Sequence, residues 1–317
     1  MRQSDLVATT CVIGGNGFIG RAVVNALLTQ RRSVIVVGRT PLLTPLPDGV
    51  EYIVSNADNK NSSLREALSR ADEVINLAYA TIPQTSFQHP VDDIVLNLPE
   101  AVQLFEMAAA LPIRKFLVVS SGGTVYGRAS ISPLTEEHPT LPLSPYGITK
   151  LAIEKYAHMY FDNRGLPAVS VRPSNAFGAG QRPYVGQGFI ATAMASILDG
   201  RTVNIFGEHG TVRDYLYVVD MAEGIVAALL AGIPGEVYNI GSGIGLTNKQ
   251  VLEAIAPLAA QIGLKVKTEV LPPRPFDVPV NILDSSKLQD LTGWGSKTSF
   301  ATALQQTWDW YRQRTIK

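Results

Sequence analysis

The sequence predicts an α/β protein, with a doubly wound parallel sheet followed by a smaller C-terminal lobe. Three observations support this prediction. An apolar stretch leads into a glycine-rich turn at the start of the chain, and short apolar strands then alternate with helical stretches up to about residue 172. Beyond that residue, loops rich in glycine and proline become frequent. Alternation of this kind after a glycine turn is typical of a parallel sheet covered by helices on both faces.

The first strand and its turn predict a Rossmann-type dinucleotide site. Residues 8–13 form an apolar strand, and a helical stretch follows the turn. Gly15, Gly17 and Gly20 satisfy G-x-G-x-x-G, while Gly14, Gly17 and Gly20 satisfy the related G-x-x-G-x-x-G. In either reading the glycines permit a tight turn and bring backbone N–H groups against a pyrophosphate at the helix N-terminus.

The second strand, 33–37, bears on the choice of cofactor. An acidic residue at its end would bind the ribose 2′-hydroxyl of NAD, and an arginine there can accept the 2′-phosphate of NADP. The strand ends in Gly38 and Arg39. This strand end favours NADP or shows no strong preference between the two cofactors, although Arg39 can equally stack on the adenine.

The remaining elements of the first half complete the alternation. Strands are predicted at 51–54, 74–78, 116–121 and 168–171, with helices from about Ser63, over 87–110 with an interruption near Pro99, and over 146–163. Ligands of such sheets lie beyond the carboxyl ends of the strands. Asp58, in the loop after the third strand, is expected to contact the adenine. The sequence predicts a dinucleotide-binding domain over 1–172, to which about 207–235 returns, and a substrate lobe over the rest of 173–317.

Tyr146 and Lys150 are the predicted proton-transfer pair. They are four residues apart at the head of a helical run, so both side chains leave the same face. A nearby cation favours the phenolate and lowers the pKa of a tyrosine toward the working range. The alternative is a surface tyrosine beside a solvated lysine.

Composition excludes several classes of protein. The 317 residues carry a formal net charge of zero with no block of like charges, which argues against nucleic acid or an anionic membrane as the partner. The single Cys11 and the lack of a signal-like start predict a cytoplasmic protein. Its four histidines are scattered, so no metal site is expected.

Taken together, the motifs resemble the extended short-chain dehydrogenase/reductase superfamily, in its sugar-nucleotide epimerase/dehydratase branch. They occur in family order and span nearly the whole chain: the glycine turn, Asn97, Ser120–Gly127, Tyr146 with Lys150, Arg172–Asn175, Val212–Tyr215, Asn239–Gly243 and Arg274–Asp277. The resemblance is strongest to UDP-hexose 4-epimerases and their N-acetylhexosamine relatives.

This resemblance implies a mechanism and a set of site residues. Tyr146 would act as catalytic base, Lys150 would hold the cofactor ribose, and a UDP-sugar would pass through a 4-keto form on a retained cofactor. NAD is the cofactor that the resemblance implies, with NADP as the alternative. The residues expected to bind the cofactor, besides this pair, are Gly14, Gly17, Phe18, Ile19, Gly20, Arg39, Asp58, Asn59, Ala78, Tyr79, Ala80, Asn97, Ser120 and Pro173. Those expected at the substrate are Thr124, Asn175, Gly188, Phe189, Ile205, Arg213, Arg274, Asp277 and Asn281.

One position departs from the family pattern. The family has Ser or Thr at the position of Gly122, where the hydroxyl bonds the reacting oxygen. Because strand side chains alternate, Thr124 would share the face of Gly122 if the backbone stays extended, and it is the expected substitute. Ser121 is the second candidate, and a water molecule in place of the hydroxyl is the alternative.

The second half supplies the predicted substrate contacts. Arg213 and Arg274 are expected to clamp the diphosphate, since guanidinium groups bind phosphate oxygens in bidentate fashion; the alternative is ordinary surface arginine. Asn281 stands where hexose-restricted epimerases carry a bulky aromatic residue, which predicts that N-acetylhexosamines are accepted.

Rival functions remain open at this point. An NADPH-dependent 4-keto-sugar reductase is the alternative activity, and a cofactor-binding sensor is the alternative without catalysis. In this family two long helices often form a dimer interface, so a homodimer is expected.

Overall fold

The computed structural model describes residues 7–55, 60–128, 131–274 and 278–315. Its first half alternates strands with helices, as the sequence predicts. The elements are β1 (Thr9–Ile13), α1 (Phe18–Thr29), β2 (Ser33–Gly38), β3 (Glu51–Val54), α2 (Lys60–Ser69), β4 (Glu73–Asn76), α3 (Pro83–Gln88), α4 (Pro90–Ala109), β5 (Lys115–Val119), α5 (Pro145–Arg164) and β6 (Ala168–Pro173).

The second half is more irregular and contains shorter strands. Its elements are β7 (Asn175–Phe177), α6 (Phe189–Leu198), β8 (Val203–Phe206), β9 (Val212–Tyr217), α7 (Val218–Ala231), β10 (Val237–Ile240), β11 (Gly245–Thr247), α8 (Asn248–Ala260), β12 (Thr268–Leu271), β13 (Val280–Asn281), α9 (Ser286–Thr292) and α10 (Phe300–Thr315).

Seven parallel strands form the main sheet in the order β3-β2-β1-β4-β5-β6-β10. Apart from the edge strand β3, these strands are largely buried, which explains their nearly continuous apolar sequences. Helices α1 and α7 pack on one face, and α2, α4 and α5 pack on the other. The order reverses between β1 and β4, so a crevice opens at the carboxyl ends of these two strands. The predicted fold class is therefore confirmed.

The C-terminal lobe has a hydrophobic core of its own. Helices α6, α8 and α10 pack around Trp308, which is fully buried, together with residues of β8 and β9. Strand β9 lies between β11 and β13 and also pairs with β7, while β8 pairs with β12. The lobe is built from two stretches of the chain: β7, α6, β8 and β9 follow β6, and β11, α8, β12, β13 and α10 follow the return of the chain to the main sheet.

That return involves α7, which packs against α1, and β10, which pairs with β6. We therefore propose a division with a dinucleotide-binding domain over 1–172 that regains α7 and β10, and a substrate lobe made of most of 173–317. The segment predicted to return, about 207–235, contains α7 but stops short of β10.

The structure corrects one predicted helix. The stretch 87–110 is not interrupted near Pro99; instead the break lies at His89, between α3 and α4. Pro90 begins α4, where proline is favoured because its missing N–H is not needed. Pro99 is exposed, so water can satisfy the carbonyl that it leaves unpaired.

Within the described ranges, no helix is long and apolar enough to cross a membrane.

Candidate active site

A cleft of about 2650 Å³ runs between the carboxyl edge of the main sheet and the C-terminal lobe. It begins at the glycine turn and continues into the lobe, so both halves of the chain contribute to one site. Sixteen of the predicted site residues line it: Gly14, Gly17, Phe18, Ile19, Gly20, Tyr79, Ser120, Thr124, Tyr146, Lys150, Pro173, Asn175, Gly188, Phe189, Arg213 and Arg274.

The glycine turn is built so tightly that side chains are excluded. Gly14 has a φ of +82°, and a Cβ there would lie 3.1 Å from the backbone nitrogen of Ala78. A Cβ on Gly20 would lie 2.4 Å from the Gly14 carbonyl oxygen. The turn therefore places the N-terminus of α1 directly at the cleft, where its free N–H groups and dipole suit a pyrophosphate.

Several buried polar atoms in the cleft have no hydrogen-bond partner within the described chain. They are the hydroxyl oxygens of Ser120, Thr124 and Ser174 and the side-chain carbonyl oxygen of Asn175. Buried polar groups are nearly always paired in folded proteins. Their position next to the glycine turn and Tyr146 fits a polar ligand, so the residues present suit a dinucleotide and a hydroxylated substrate.

The start of α5 positions Tyr146 and Lys150. Ser144 is the N-cap and its hydroxyl accepts a hydrogen bond from Gly147 N–H at 3.1 Å, while Pro145 occupies the first helical position. Serine caps and first-turn prolines both favour helix initiation at this point. The predicted helix over 146–163 is therefore present, and Tyr146 and Lys150 lie one turn apart at its start, as expected.

Tyr146 has a hydroxyl partner in Ser121. Burial raises the pKa of the Tyr146 phenol, the hydrogen bond with Ser121 lowers it, and the charge of Asp93 raises it. Burial dominates, so the pKa of Tyr146 lies above the ordinary value for tyrosine. Before ligands bind, Tyr146 is therefore a neutral phenol that can donate a proton as well as accept one when deprotonated.

Although Lys150 lies one helical turn from Tyr146, its ammonium is closer to the ring of Tyr79 than to the ring of Tyr146. Its ammonium donates to the Val119 carbonyl at 3.0 Å and lies 4.0 Å from the centre of the Tyr79 ring. The centre of the Tyr146 ring is farther away, at 5.7 Å. Burial lowers the pKa of Lys150 to about 8, although the charges of Glu154 and Asp93 favour the ammonium form.

The structure corrects the ranking of Thr124 above Ser121. The backbone leaves the extended conformation after β5, since Thr124 N and Val125 N both bond the Ser121 carbonyl, and strand alternation no longer applies. A Cβ on Gly122 would lie 2.5 Å from Leu283, so this position faces the interior. Ser121 is the hydroxyl that hydrogen-bonds Tyr146, while the Thr124 hydroxyl lies in the same cleft without a partner in the described chain.

Asn97 supports the wall of the site through the backbone. It is buried on α4, accepts a hydrogen bond from Ala80 N at 2.7 Å and donates to the Thr81 hydroxyl at 3.1 Å. Ala78 contributes through its backbone, which lies against Gly14. Ala78, Ala80 and Asn97 thus shape the cofactor end of the cleft, although their side chains do not line it.

The substrate end contains both predicted arginines. Arg213 on β9 donates to the Val278 carbonyl at 2.6 Å, which fixes one end of its guanidinium group. Arg274 lies over the ring of Phe206 at 4.0 Å. Two arginines from separate segments therefore line the same lobe of the cleft, and this arrangement suits a diphosphate.

Two other substrate predictions are corrected. Asn281 is only 1% exposed and donates to the Gly122 carbonyl at 3.0 Å, so it does not line the cleft. Pairing of β13 with β9 turns this side chain inward. Ile205 packs in the core of the lobe, because alternation along β8 directs Phe206 to the cleft instead.

The remaining predictions concern residues at the edge of the site. Arg39 is exposed and is not among the cleft-lining residues. Asp58, Asn59 and Asp277 lie outside the described residues.

Arg21 and Asp93 are two site residues that the sequence analysis missed. Arg21 lines the cleft and ties down the loop after β2, by donating to the carbonyls of Thr44 at 2.6 Å and Pro45 at 2.9 Å. Asp93 lies one helical turn before Asn97, and this spacing was the signal that could have identified it.

Comparison with known proteins agrees with this geometry. Residues 10–241 match the model of the NAD dependent epimerase/dehydratase family. The UDP-glucose 4-epimerase of Mycolicibacterium smegmatis is 29% identical over 313 residues, which cover 96% of this chain and 99% of that one. A dTDP-4-dehydro-6-deoxyglucose reductase of Escherichia coli is 29% identical over 252 residues, 77% of this chain and 79% of the other.

Solved structures show the same architecture. The UDP-glucose 4-epimerase of Thermotoga maritima, solved with UDP-glucose, has a TM-score of 0.88 and 30% identity, covering 98% of this chain and 100% of that one. The Thermus thermophilus UDP-glucose 4-epimerase in complex with NAD has a TM-score of 0.85 and 32% identity, covering 96% and 99%. The match to both halves means that the lobe, as well as the sheet, is shared.

Proposed function

Because the chain belongs to the NAD dependent epimerase/dehydratase family, an enzyme family that uses NAD, we propose that it is a UDP-sugar 4-epimerase. It interconverts UDP-glucose with UDP-galactose, UDP-N-acetylglucosamine with UDP-N-acetylgalactosamine, or both. The observation that carries the proposal is the Tyr146–Ser121 hydroxyl pair beside Lys150, in a cleft that continues from the glycine turn to Arg213 and Arg274.

In the proposed reaction, side chains of the protein transfer the proton and position the substrate. NAD, when bound, would supply the acceptor for the C4 hydride and the donor that returns it. Tyr146, once deprotonated, takes the proton of the sugar 4-hydroxyl and later gives it back, and Ser121 helps to hold the sugar oxygen at C4 by hydrogen bonding. Arg213 and Arg274 hold the diphosphate, so the hexose can turn over between two faces while its carrier stays bound.

At the cofactor end of the cleft, backbone groups would make most of the contacts to the dinucleotide. The α1 N-terminus would bind the pyrophosphate, and Ser120 and Lys150, which line the same cleft, would hold the ribose of the nicotinamide half. NADP remains the alternative prediction because Arg39 stands where an acidic residue would select NAD.

The sugar preference must be measured directly. Asn281 was the sequence-based reason to expect N-acetylhexosamines, and its buried position removes that reason. Both sugar pairs therefore enter the test on equal terms.

The decisive experiment adds no cofactor. The purified protein is incubated with UDP-glucose and, separately, with UDP-N-acetylglucosamine, and the C4 epimer is detected by NMR of the anomeric sugar. We expect conversion of at least one, with a Tyr146→Phe variant as the inactive control. If neither sugar is converted, the self-contained cycle is refuted.

A 4-keto-sugar reductase is the second candidate, and two observations favour it. A reductase is among the relatives, and Arg39 suits a cofactor that bears a 2′-phosphate. Oxidation of NADPH by the purified protein with a nucleotide-linked 4-keto sugar, without epimerisation, would establish this activity instead.

We further propose that the protein is a homodimer formed through the α4–α5 face, defined as Val91, Ile94, Val95, Ile148, Tyr156 and Met159. These apolar side chains are exposed on two helices that pack against each other. Exposed apolar surface on adjoining helices suits a second copy of the same surface. Val95→Lys should give a monomer in light scattering, whereas Val270→Lys, an exposed valine of the lobe, should not.

A further inference from the structure

A buried carboxylate lies behind the catalytic pair. Asp93 on α4 is 0% exposed. The hydroxyl of Thr81 donates to its Oδ1, and the hydroxyl of Tyr79 lies 3.4 Å from each of its carboxylate oxygens. A buried carboxylate is costly unless a positive charge or several donors compensate it.

No lysine or arginine forms an ion pair with Asp93 in the part of the chain that the structure describes. The cation that feels its charge is Lys150, which reaches it across the ring of Tyr79. The Lys150 ammonium lies 4.0 Å from the centre of that ring, while the hydroxyl of the same ring points to Asp93. Tyr79 thus separates a buried anion from a buried cation.

This arrangement strengthens the hold on Lys150 in two ways. The carboxylate attracts the ammonium directly across a medium of low dielectric constant. A phenol hydroxyl held beside a carboxylate, at 3.4 Å here, also makes its ring more electron-rich, which improves the cation–π contact on the ring face. Tyr79 packs edge-on against Tyr146 as well, with ring centres 4.9 Å apart, so the same ring orders both members of the catalytic pair.

We propose that Asp93, acting through Tyr79, is a positioning residue that keeps Lys150 protonated and in place at the cofactor ribose. Besides Asp93 and Tyr79, the titratable groups facing Lys150 are Tyr146 and Glu154. Glu154 already forms an ion pair with the buried Arg172 at 2.7 Å. Asp93 therefore supplies a negative charge that no arginine within the described ranges neutralises. The inference rests on the NAD site and is independent of which sugar is turned over.

The test measures the affinity of the full-length chain for NADH, by cofactor fluorescence, between about pH 6.5 and 9.5. Burial leaves the pKa of Lys150 at about 8, so wild-type affinity should fall as pH rises through that value. Asp93→Asn keeps the shape but removes the charge, and it should move the midpoint roughly one pH unit lower. Tyr79→Phe should shift it in the same direction by less.

Asp92→Asn is the matched control, because Asp92 lies next in sequence on α4 but is exposed. Its pH profile should coincide with the wild-type profile. A midpoint that stays unchanged in Asp93→Asn and Tyr79→Phe would overturn the proposal, even if both bind NADH more weakly at every pH, since a purely structural defect has that effect. If Asp93→Asn does not fold, the Tyr79→Phe midpoint alone decides.

Discussion

Replacing Ser121 and Thr124 separately tests which hydroxyl assists Tyr146. Ser121 is hydrogen-bonded to the Tyr146 phenol, and this bond lowers the pKa of the phenol. The Thr124 hydroxyl is buried without a partner in the described chain. The two side chains are three residues apart on one turn, so they form a matched pair.

We expect Ser121→Ala to lower kcat/KM strongly and Thr124→Val to lower it little. A hydrogen bond to a group that becomes charged contributes about 1.5–3 kcal/mol, which is roughly a 10- to 150-fold change in rate. For Thr124→Val the loss should stay below about tenfold, because at most one neutral hydrogen bond to a ligand, worth about 0.5–1.5 kcal/mol, is removed.

The assay is epimerisation of the preferred UDP-sugar over a range of pH. Loss of Ser121 should also move the pH dependence of kcat to higher pH, since the pKa of Tyr146 would no longer be lowered by that bond. A larger loss in Thr124→Val than in Ser121→Ala would refute this assignment and restore Thr124 as the assisting hydroxyl.

Three further predictions concern the frame of the site. Glu154→Gln should destabilise the fold by about 3–5 kcal/mol in urea unfolding, because it leaves the buried Arg172 guanidinium without its counter-charge. Gly20→Ala should abolish NAD binding in a calorimetric titration, since its Cβ would lie 2.4 Å from a carbonyl of the turn, whereas Gly295→Ala, with nothing closer than 3.9 Å, should bind normally. Arg21→Ala should release NADH roughly 5- to 30-fold faster in stopped-flow measurements, because the loop after β2 loses two hydrogen bonds. This change in rate corresponds to about 1–2 kcal/mol. An unchanged rate would show that the loop does not retain the cofactor.

Local patterns in the sequence were sufficient for the sheet and the cofactor turn. Apolar strands that alternate with helices specify a parallel sheet. Glycine is needed at positions 14 and 20 because backbone atoms there approach too closely for any side chain. The start of α5 was equally readable, since Ser144 and Pro145 act on residues a few positions away. These features depend on short-range geometry, which the sequence determines by itself.

Only the tertiary structure decided which polar side chains meet. Thr124 was preferred over Ser121 on the assumption of an extended backbone, and a turn after β5 removed that assumption. Asn281 was placed at the sugar by comparison with hexose-restricted epimerases, but pairing of β13 with β9 buries it. Asp93 acts on Lys150 across Tyr79, and these three residues come from separate elements. Contacts of this kind depend on the packing of distant segments, and no periodicity along the chain encodes them.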